Sequence, residues 1–199
     1  MSKRRLTNRE RLRKLLKEAE IGSAAHEELL AVQVAIEKPK RQAVTALIKL
    51  LKTSVCRDTQ WFISRVLGTA KDPRAIRPLM QAAIASENKN YSSNFLWPLE
   101  KFDCTKQLDF FVNFMLRGGD PDEAMLACLY AIMAMDGPFK PAIVKKNIKK
   151  LLGKSKLQTE PDMELQAEHF KMSAADYLMS TYFNQVARVF HGKNEASAD

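Results

Sequence analysis

Apolar helix patterns that end at an aspartate recur along the middle of this chain at nearly constant intervals. The three aspartates, Asp72, Asp103 and Asp136, stand 31 and 33 residues apart, and a second helix pattern follows each of them. An aspartate suits such a corner because its carboxylate accepts hydrogen bonds from the unpaired N–H groups that open a helix. The spacing therefore predicts a repeated unit of two helices with an inner corner at each aspartate.

Each corner separates a helix that we name A from a following helix that we name B. The A helices are predicted over residues 61–70, 94–102 and 127–135, and a degenerate earlier pair spans residues 23–53 around a corner at Pro39. The apolar residues of the B helices are spaced three or four apart, as on one buried face. They are Ile76, Leu79, Met80, Ala83 and Ile84, then Leu108, Phe111, Val112 and Met115, then Ile143, Ile148 and Leu151. Four stacked pairs would bury a continuous core that a single pair cannot bury.

The segment from Asp72 to Leu79, which opens a B helix, resembles the HEAT-repeat consensus, and the similarity covers residues 23–152. Pro98, inside a predicted A helix, is similar to the prolines that kink such repeats. The resemblance implies an all-α fold, a right-handed α-solenoid of antiparallel helix pairs with terminal capping helices. It also implies a scaffold or binding surface and no catalytic activity by itself.

Three parts of the chain follow from this interpretation. We expect residues 1–20 to form a basic N-terminal helix or arm and residues 21–157 to form the helix-pair repeats. Residues 158–199 should form capping helices with a short disordered tail. Ser173 stands three residues before Asp176 in a pattern similar to a capping box, which predicts that a helix starts there.

Several classes of protein are disfavoured by what the sequence lacks. The longest apolar run covers residues 124–135, which is too short to span a bilayer, and no apolar signal-peptide core follows the basic N-terminus. The three cysteines and three histidines show no disulfide or metal-ligand spacing, and no phosphate loop, dinucleotide fingerprint or Gly-x-Ser-x-Gly motif occurs. We therefore expect a cytoplasmic, non-enzymatic protein without a metal or cofactor.

The net charge of +9 is distributed unevenly along the chain. Residues 1–20 hold eight basic and three acidic side chains, residues 137–157 hold seven lysines and no acid, and residues 158–199 are acidic. Two basic islands result, and both are candidate binding sites for an anionic partner. Their candidate residues are Arg4, Arg5, Arg9 and Arg13 in the first, and Lys140, Lys145, Lys146, Lys149 and Lys150 in the second.

The four lysines within residues 145–150 share one face of the third B helix, opposite Ile148 and Leu151. On the concave side of a solenoid they would form a trough for a polyanion such as a nucleic acid. The same pattern is typical of a face that is simply solvated, because lysine without arginine or exposed aromatic partners attracts anions nonspecifically.

Two functions therefore compete. The leading hypothesis is a module that binds another protein, as an adaptor or immunity protein does, and the alternative is nucleic-acid binding through the islands.

A third alternative is enzymatic, because one group of HEAT-like proteins excises alkylated bases from DNA with aromatic side chains and a carboxylate. Similarity to that group would give such a role to Asp103 or Asp109 beside Trp61 and Trp97, although no motif fixes these residues. Aromatic residues on A helices usually belong to the core. The ordinary interpretation of these two tryptophans, and of Tyr91 and Tyr130, is therefore packing.

Overall fold

The computed structural model describes residues 32, 35–36, 40–117, 122–153 and 161–195. All regular structure in these residues is helical, which confirms the predicted all-α class. None of the described helices is both long and apolar enough to cross a membrane. The chain divides into two compact units, Met1–Phe102 and Asp103–Asp199.

Four α-helices of the first unit lie entirely within the described residues, and a 3-10 turn follows each of the last three. Helix α2 packs against α1 and against the 3-10 turn that continues α4, and α3 packs against α1 and α4. The α-helices are α1 Lys40–Thr53, α2 Arg57–Ala70, α3 Ile76–Ile84 and α4 Ser93–Leu96, and the 3-10 turns are Pro73–Ala75, Ser86–Asn88 and Trp97–Lys101.

The predicted apolar stripe of the first B helix is buried except at Met80, which is half-buried, and at Ile84. Ile76, Leu79 and Ala83 of α3 are buried, whereas the side chain of Ile84 is 52% exposed. Ile84 is the last residue of α3, and the next residue continues in an extended conformation, so the buried face ends before it. Removing a side chain of leucine size from water stabilises a fold by about 1.5–3 kcal/mol, so α3 is held mainly by this stripe.

Gly68 allows α2 to approach the 3-10 turn Trp97–Lys101 closely. A Cβ atom added at Gly68 would lie 2.8 Å from the Cβ atom of Pro98. Pro98, the second residue of this turn, has no N–H to donate to the Asn94 carbonyl four residues earlier, and that carbonyl accepts from the Ser64 hydroxyl at 2.7 Å. The A helix predicted over residues 94–102 is therefore α-helical only as far as Leu96 and tightens to 3-10 geometry from Trp97 onward. Gly68 and Pro98 together set how tightly the two elements of this pair pack.

The described part of the second unit contains four α-helices, of which α8 is the longest, and one 3-10 turn. Helix α5 packs against α6 and α7, and α8 packs against the same two helices. The elements are the 3-10 turn Thr105–Gln107, α5 Leu108–Arg117, α6 Glu123–Met133, α7 Pro141–Leu151 and α8 Pro161–Glu195. Helix α8 runs without interruption through residue 173, so the predicted helix start at Ser173 is wrong. Ser173 lies in the middle of α8 and not at its start, because Ala167, Ala174 and Ala175 form one buried face that continues on both sides of it.

The B-helix stripe of α5 is confirmed, and that of α7 requires a correction. Leu108, Phe111, Val112 and Met115 are all fully or almost fully buried in α5. In α7 the buried face consists of Val144, Asn147 and Leu151, whereas Ile143 is exposed and Ile148 is half-buried. A search for apolar spacing misses this register because the central buried residue is polar. Asn147 is accepted there because its Nδ2 donates hydrogen bonds to Asp109 Oδ1 and to the Ile143 carbonyl, both at 2.9 Å.

Two of the three predicted corner aspartates cap the following turn. Asp72 Oδ1 accepts a hydrogen bond from the Arg74 backbone N–H at 3.1 Å, and Asp103 Oδ1 accepts one from the Thr105 N–H at 3.0 Å. The prediction for Asp136 is wrong, because α7 begins only at Pro141 and its N-cap position is occupied by Lys140. Residues 137–140 intervene, starting with Gly137, whose φ of +75° turns the chain in a way that favours glycine.

The carboxylate of Asp103 also connects its corner to the next one along the chain. Its Oδ1 accepts a hydrogen bond from the Thr105 hydroxyl and a longer one, at 3.4 Å, from the Asp136 N–H. The Thr105 Oγ1 in turn accepts one from the Gly137 N–H at 3.0 Å. Partial burial opposes ionisation of Asp103, but the bonds from Thr105 and Asp136 outweigh it and hold the pKa of this carboxyl below its ordinary value.

Replacing Asp103 by asparagine keeps the accepting oxygen but removes its charge, so the free energy of unfolding is expected to fall by about 0.3–1 kcal/mol at neutral pH, the usual contribution of a negative charge at a helix N-terminus. Because the folded-state pKa of Asp103 is depressed, its contribution is present at neutral pH and is lost as the pH falls through that pKa. Urea unfolding of the wild type and Asp103→Asn should therefore differ at pH 7 and converge in acid. Asp136→Asn is the matched control and should show no comparable loss, since Lys140 occupies the N-cap position.

Candidate binding surfaces

The second basic island divides into exposed lysines and lysines bonded to a neighbouring helix. Lys140, Lys145 and Lys149 are exposed on α7 or immediately before it. Lys146 Nζ donates a hydrogen bond to Asp109 Oδ2 at 3.0 Å, and Lys150 Nζ donates one to Asn113 Oδ1 at 2.7 Å. Asp109 therefore offsets the charge of Lys146, whereas Lys150 keeps its own charge because its partner is a neutral amide. The residues of the other island, Arg4, Arg5, Arg9 and Arg13, lie outside the described residues, so their role in binding an anionic partner stays a prediction.

The two carboxylates considered for base excision are both engaged in contacts within the second unit. The hydrogen bond from Lys146, followed by the one from Asn147, holds the pKa of Asp109 below its usual range, although some burial opposes this. Asp103 caps the turn at Thr105. The Lys146–Asp109 pair is about half exposed at both ends, so solvent screening keeps its contribution to stability small. These contacts are those of structural carboxylates that hold one helix or corner to the next.

Two kinds of chemical site were sought in the described part of the chain, a reactive cysteine and a metal-binding cluster. Burial, followed by the charge of Asp103, raises the pKa of the Cys104 thiol to about 12, so it is protonated at neutral pH. Among the described residues, no three histidine, cysteine, aspartate or glutamate side chains are grouped so that they could hold a metal ion.

Arginines and aromatic rings alternate on the outer face of α2, opposite its buried residues. Arg57, Trp61 and Arg65 follow one another at intervals of four residues, so they form a single row along the helix. The guanidinium carbon of Arg57 lies 4.1 Å from the centre of the Tyr91 ring, and that of Arg65 lies 4.8 Å from the centre of the Trp61 ring. We name Arg57, Trp61, Arg65 and Tyr91 the arginine–aromatic face.

The exposure of this face corrects the expectation that these aromatic residues form the core. Trp61 is 38% exposed and Tyr91 is 37% exposed, and Tyr130 on α6 is also exposed. Their exposure follows from helix geometry, because Phe62, Ile63 and Val66 already occupy the buried side of α2. The signal was present in the sequence, since Arg57 and Arg65 stand at helical spacing on either side of Trp61 and arginine seldom shares a buried face.

Two concave regions of the first unit adjoin the arginine–aromatic face. A cleft of about 390 Å³ runs beside Trp61 and Arg65 to Trp97, with the Glu100–Lys101 ion pair, at 2.8 Å, on its rim. A groove of about 700 Å³ has Arg57 on its edge. Its other lining residues include Val55, Gln60, Gln81, Glu87 and Asn88. The face therefore lies between two depressions that could receive side chains of a bound molecule.

Helix α8 carries a second exposed feature, an apolar stripe along the side that faces away from its buried alanines. Leu165, Met172 and Met179 follow at intervals of seven residues, and Phe183 comes four residues later. All four are exposed, and Phe183 is 72% exposed. Successive members from Leu165 to Met179 are about two helical turns apart, and exposed apolar side chains at such spacing are common on protein surfaces.

The chain matches no protein-family model, no curated protein and no solved structure.

Proposed function

We propose that this chain is a non-enzymatic, HEAT-like binding module of the cytoplasm whose partner is another protein. The solenoid part of the proposal is supported by hydrogen bonds that join positions about one repeat apart. Arg74 donates through its guanidinium to the Arg41 carbonyl, 33 residues earlier, at 3.2 Å. Asp103 accepts from the N–H of Asp136, also 33 residues away. Equivalent positions of adjacent helix pairs are expected to meet in this way in a stacked array.

The arginine–aromatic face is the observation that carries the proposal of a protein partner. Tryptophan, tyrosine and arginine are the residue types that contribute most to binding energy at protein–protein interfaces. Arg57 is also the first residue of α2, where a positive charge opposes the helix dipole instead of stabilising it. Helix stability therefore does not account for an arginine at this position, whereas a role in binding does.

Capture from the cells in which the protein is made tests the proposal. The full-length chain should recover a protein in about equimolar amount, and the complex should survive gel filtration at physiological salt. Trp61→Ala should reduce the recovery strongly, because loss of a central aromatic side chain typically costs 2 kcal/mol or more of binding free energy. Recovery of no stoichiometric protein would count against the proposal.

Nucleic-acid binding is the second candidate, and the exposed lysines Lys140, Lys145 and Lys149 favour it. If it is correct, Lys145→Glu together with Lys149→Glu should abolish binding of an oligonucleotide. In the wild type, affinity for duplex DNA should fall steeply as the salt concentration rises. The slope of log K against log salt should be about −0.9 for each phosphate that the protein contacts. Asp109→Asn is a control that removes a negative charge from the surface and leaves Lys146 without its ionic partner. Unchanged affinity in the double lysine variant would exclude this surface as a nucleic-acid site.

Excision of alkylated bases is the remaining alternative. The contacts of Asp103 and Asp109 lend it no support, because both carboxylates already accept hydrogen bonds within their own unit. Incubation of the protein with alkylated DNA should release no free base. Release that disappears in Asp109→Asn or Asp103→Asn would overturn the non-enzymatic proposal.

A further inference from the structure

The two arginines of the arginine–aromatic face are held by rings, which leaves the edges of their guanidinium groups available. Arg57 lies over Tyr91 and Arg65 lies over Trp61. A guanidinium group that stacks on an aromatic ring keeps its N–H donors in its own plane, pointing past the ring edge. Those donors match the two oxygens of a carboxylate in a bidentate arrangement. Each of these two arginines is therefore a candidate site for one planar anion.

The separation of the two sites follows from their positions on α2. Arg57 and Arg65 are eight residues apart on one helix, which places their backbones about 12 Å apart along the helix axis. Trp61 lies midway between them on the same row, and the part of its ring that the Arg65 guanidinium leaves exposed presents apolar surface. Taking the backbone spacing as the spacing of the two sites, a matching ligand places two anionic groups about 12 Å apart with an uncharged contact between them.

We propose that the arginine–aromatic face binds a protein segment that carries two carboxylates at this separation, with an apolar or small residue against Trp61. An extended strand achieves the separation with acidic residues four positions apart, since each residue advances about 3.3 Å. This inference rests on the proposed function, the binding of a protein partner. It adds that the segment of the partner bound here is acidic. The charge of the chain agrees with it, since the net charge is +9.

The surroundings of the two arginines favour a protein carboxylate over the phosphates of a nucleic acid. Asp58, in the first turn of α2, is exposed, and Glu100 lies on the rim of the adjoining cleft. A nucleic-acid strand carries a charge about every 3.4 Å along a helix axis, so several phosphates would lie between the arginines. Those phosphates would meet Trp61 and the acidic side chains instead of donors. Two discrete carboxylates avoid that repulsion.

A direct test uses a synthetic peptide of twelve residues with glutamate at every fourth position and serine at the others, and the same peptide with glutamine in place of glutamate is its control. The two tryptophans of the chain, Trp61 and Trp97, supply a local readout through their indole N–H signals in a nitrogen–proton NMR spectrum. Trp61→Phe assigns the two signals. Titration with the glutamate peptide is expected to shift the Trp61 signal saturably, and the glutamine peptide is expected to leave it unchanged.

Charge-conserving variants then separate a bidentate site from simple attraction. Arg57→Lys and Arg65→Lys should each weaken binding of the glutamate peptide about tenfold, because lysine has neither the planar fork nor the same stacking. Both arginines are exposed, so the fold is expected to tolerate the change. Lys145→Gln with Lys149→Gln removes two exposed charges from α7 and should leave the affinity unchanged.

Three results would overturn the inference. They are equal or absent binding of the two peptides, an equal loss of affinity in the α7 variant, and binding of a single-stranded oligonucleotide at Trp61 that is weakened by Arg57→Lys and Arg65→Lys. The last would assign the face to phosphate. Capture of a protein whose binding ignores these arginine variants would leave the proposed function intact and remove this inference alone. Peptide binding without any captured protein would leave this inference intact and count against the proposed function.

Discussion

Replacing Asn147 by aspartate is expected to lower the free energy of unfolding by about 3 kcal/mol at neutral pH, as for other buried charges without a partner. Asn147 is fully buried in α7, and its Nδ2 donates to Asp109 Oδ1 at 2.9 Å. A carboxylate in its place removes that donor and faces a second carboxylate. Urea unfolding measures the loss, and a loss below about 0.5 kcal/mol, the usual range for surface substitutions, would contradict the packing of α7 on α5.

The destabilisation by Asn147→Asp should depend on pH in a defined direction. Burial and the charge of Asp109 both raise the pKa of the new carboxyl in the folded state, so the folded protein binds more protons than the unfolded chain. The penalty is therefore largest at neutral pH and shrinks as the pH falls through the raised pKa. Asn113→Asp is the matched control, because Asn113 Oδ1 accepts from Lys150 Nζ at 2.7 Å and a carboxylate there gains an ionic partner. That variant should change stability by less than about 1 kcal/mol.

Gly68→Val is expected to destabilise the protein by about 2–3 kcal/mol, because the added side chain overpacks a close contact. Even the first added atom, Cβ, would lie 2.8 Å from Pro98 Cβ, a separation that requires α2 or the 3-10 turn to move. Thermal unfolding should show a midpoint lowered by roughly 5–10 °C for a chain of this size.

The neighbouring substitution Thr69→Val is the matched control, because it places a valine one position further along the same helix, where the native side chain is already β-branched. Thr69 is half-buried at the edge of the cleft, and its Oγ1 donates to the Arg65 carbonyl at 3.0 Å. Its replacement should change stability by about 0.5 kcal/mol or less, as surface substitutions usually do. Equal midpoints for the two variants would show that the Gly68–Pro98 contact does not restrict the packing of α2.

The helices were largely predictable because their apolar spacing is regular. The stripe of α5 was found in full, and the corners at Asp72 and Asp103 were found because capping needs a short acceptor at a defined place. Asp136 was misassigned because the chain between it and α7 depends on Gly137 and on bonds from another corner. Such long-range bonds leave no local pattern in a sequence.

The candidate site was less predictable than the fold. Lysine spacing correctly grouped Lys145 and Lys149 as exposed charges, but it could not show that Lys146 and Lys150 reach residues 37 positions earlier. Buried Asn147 was missed because only apolar residues were considered for the inner face of α7. The exposure of Trp61 was missed because its residue type, taken alone, favours the core.

Isothermal titration of the captured partner, once purified, against two variants tests the account most directly. One variant combines Trp61→Ala with Arg65→Ala on α2, and the other combines Lys145→Glu with Lys149→Glu on α7. We expect the α2 variant to weaken binding at least thirtyfold, which corresponds to the loss of about 2 kcal/mol that is typical of a hot spot. We also expect the α7 variant to bind as the wild type does. Wild-type affinity in the α2 variant, or a larger loss in the α7 variant, would contradict the account.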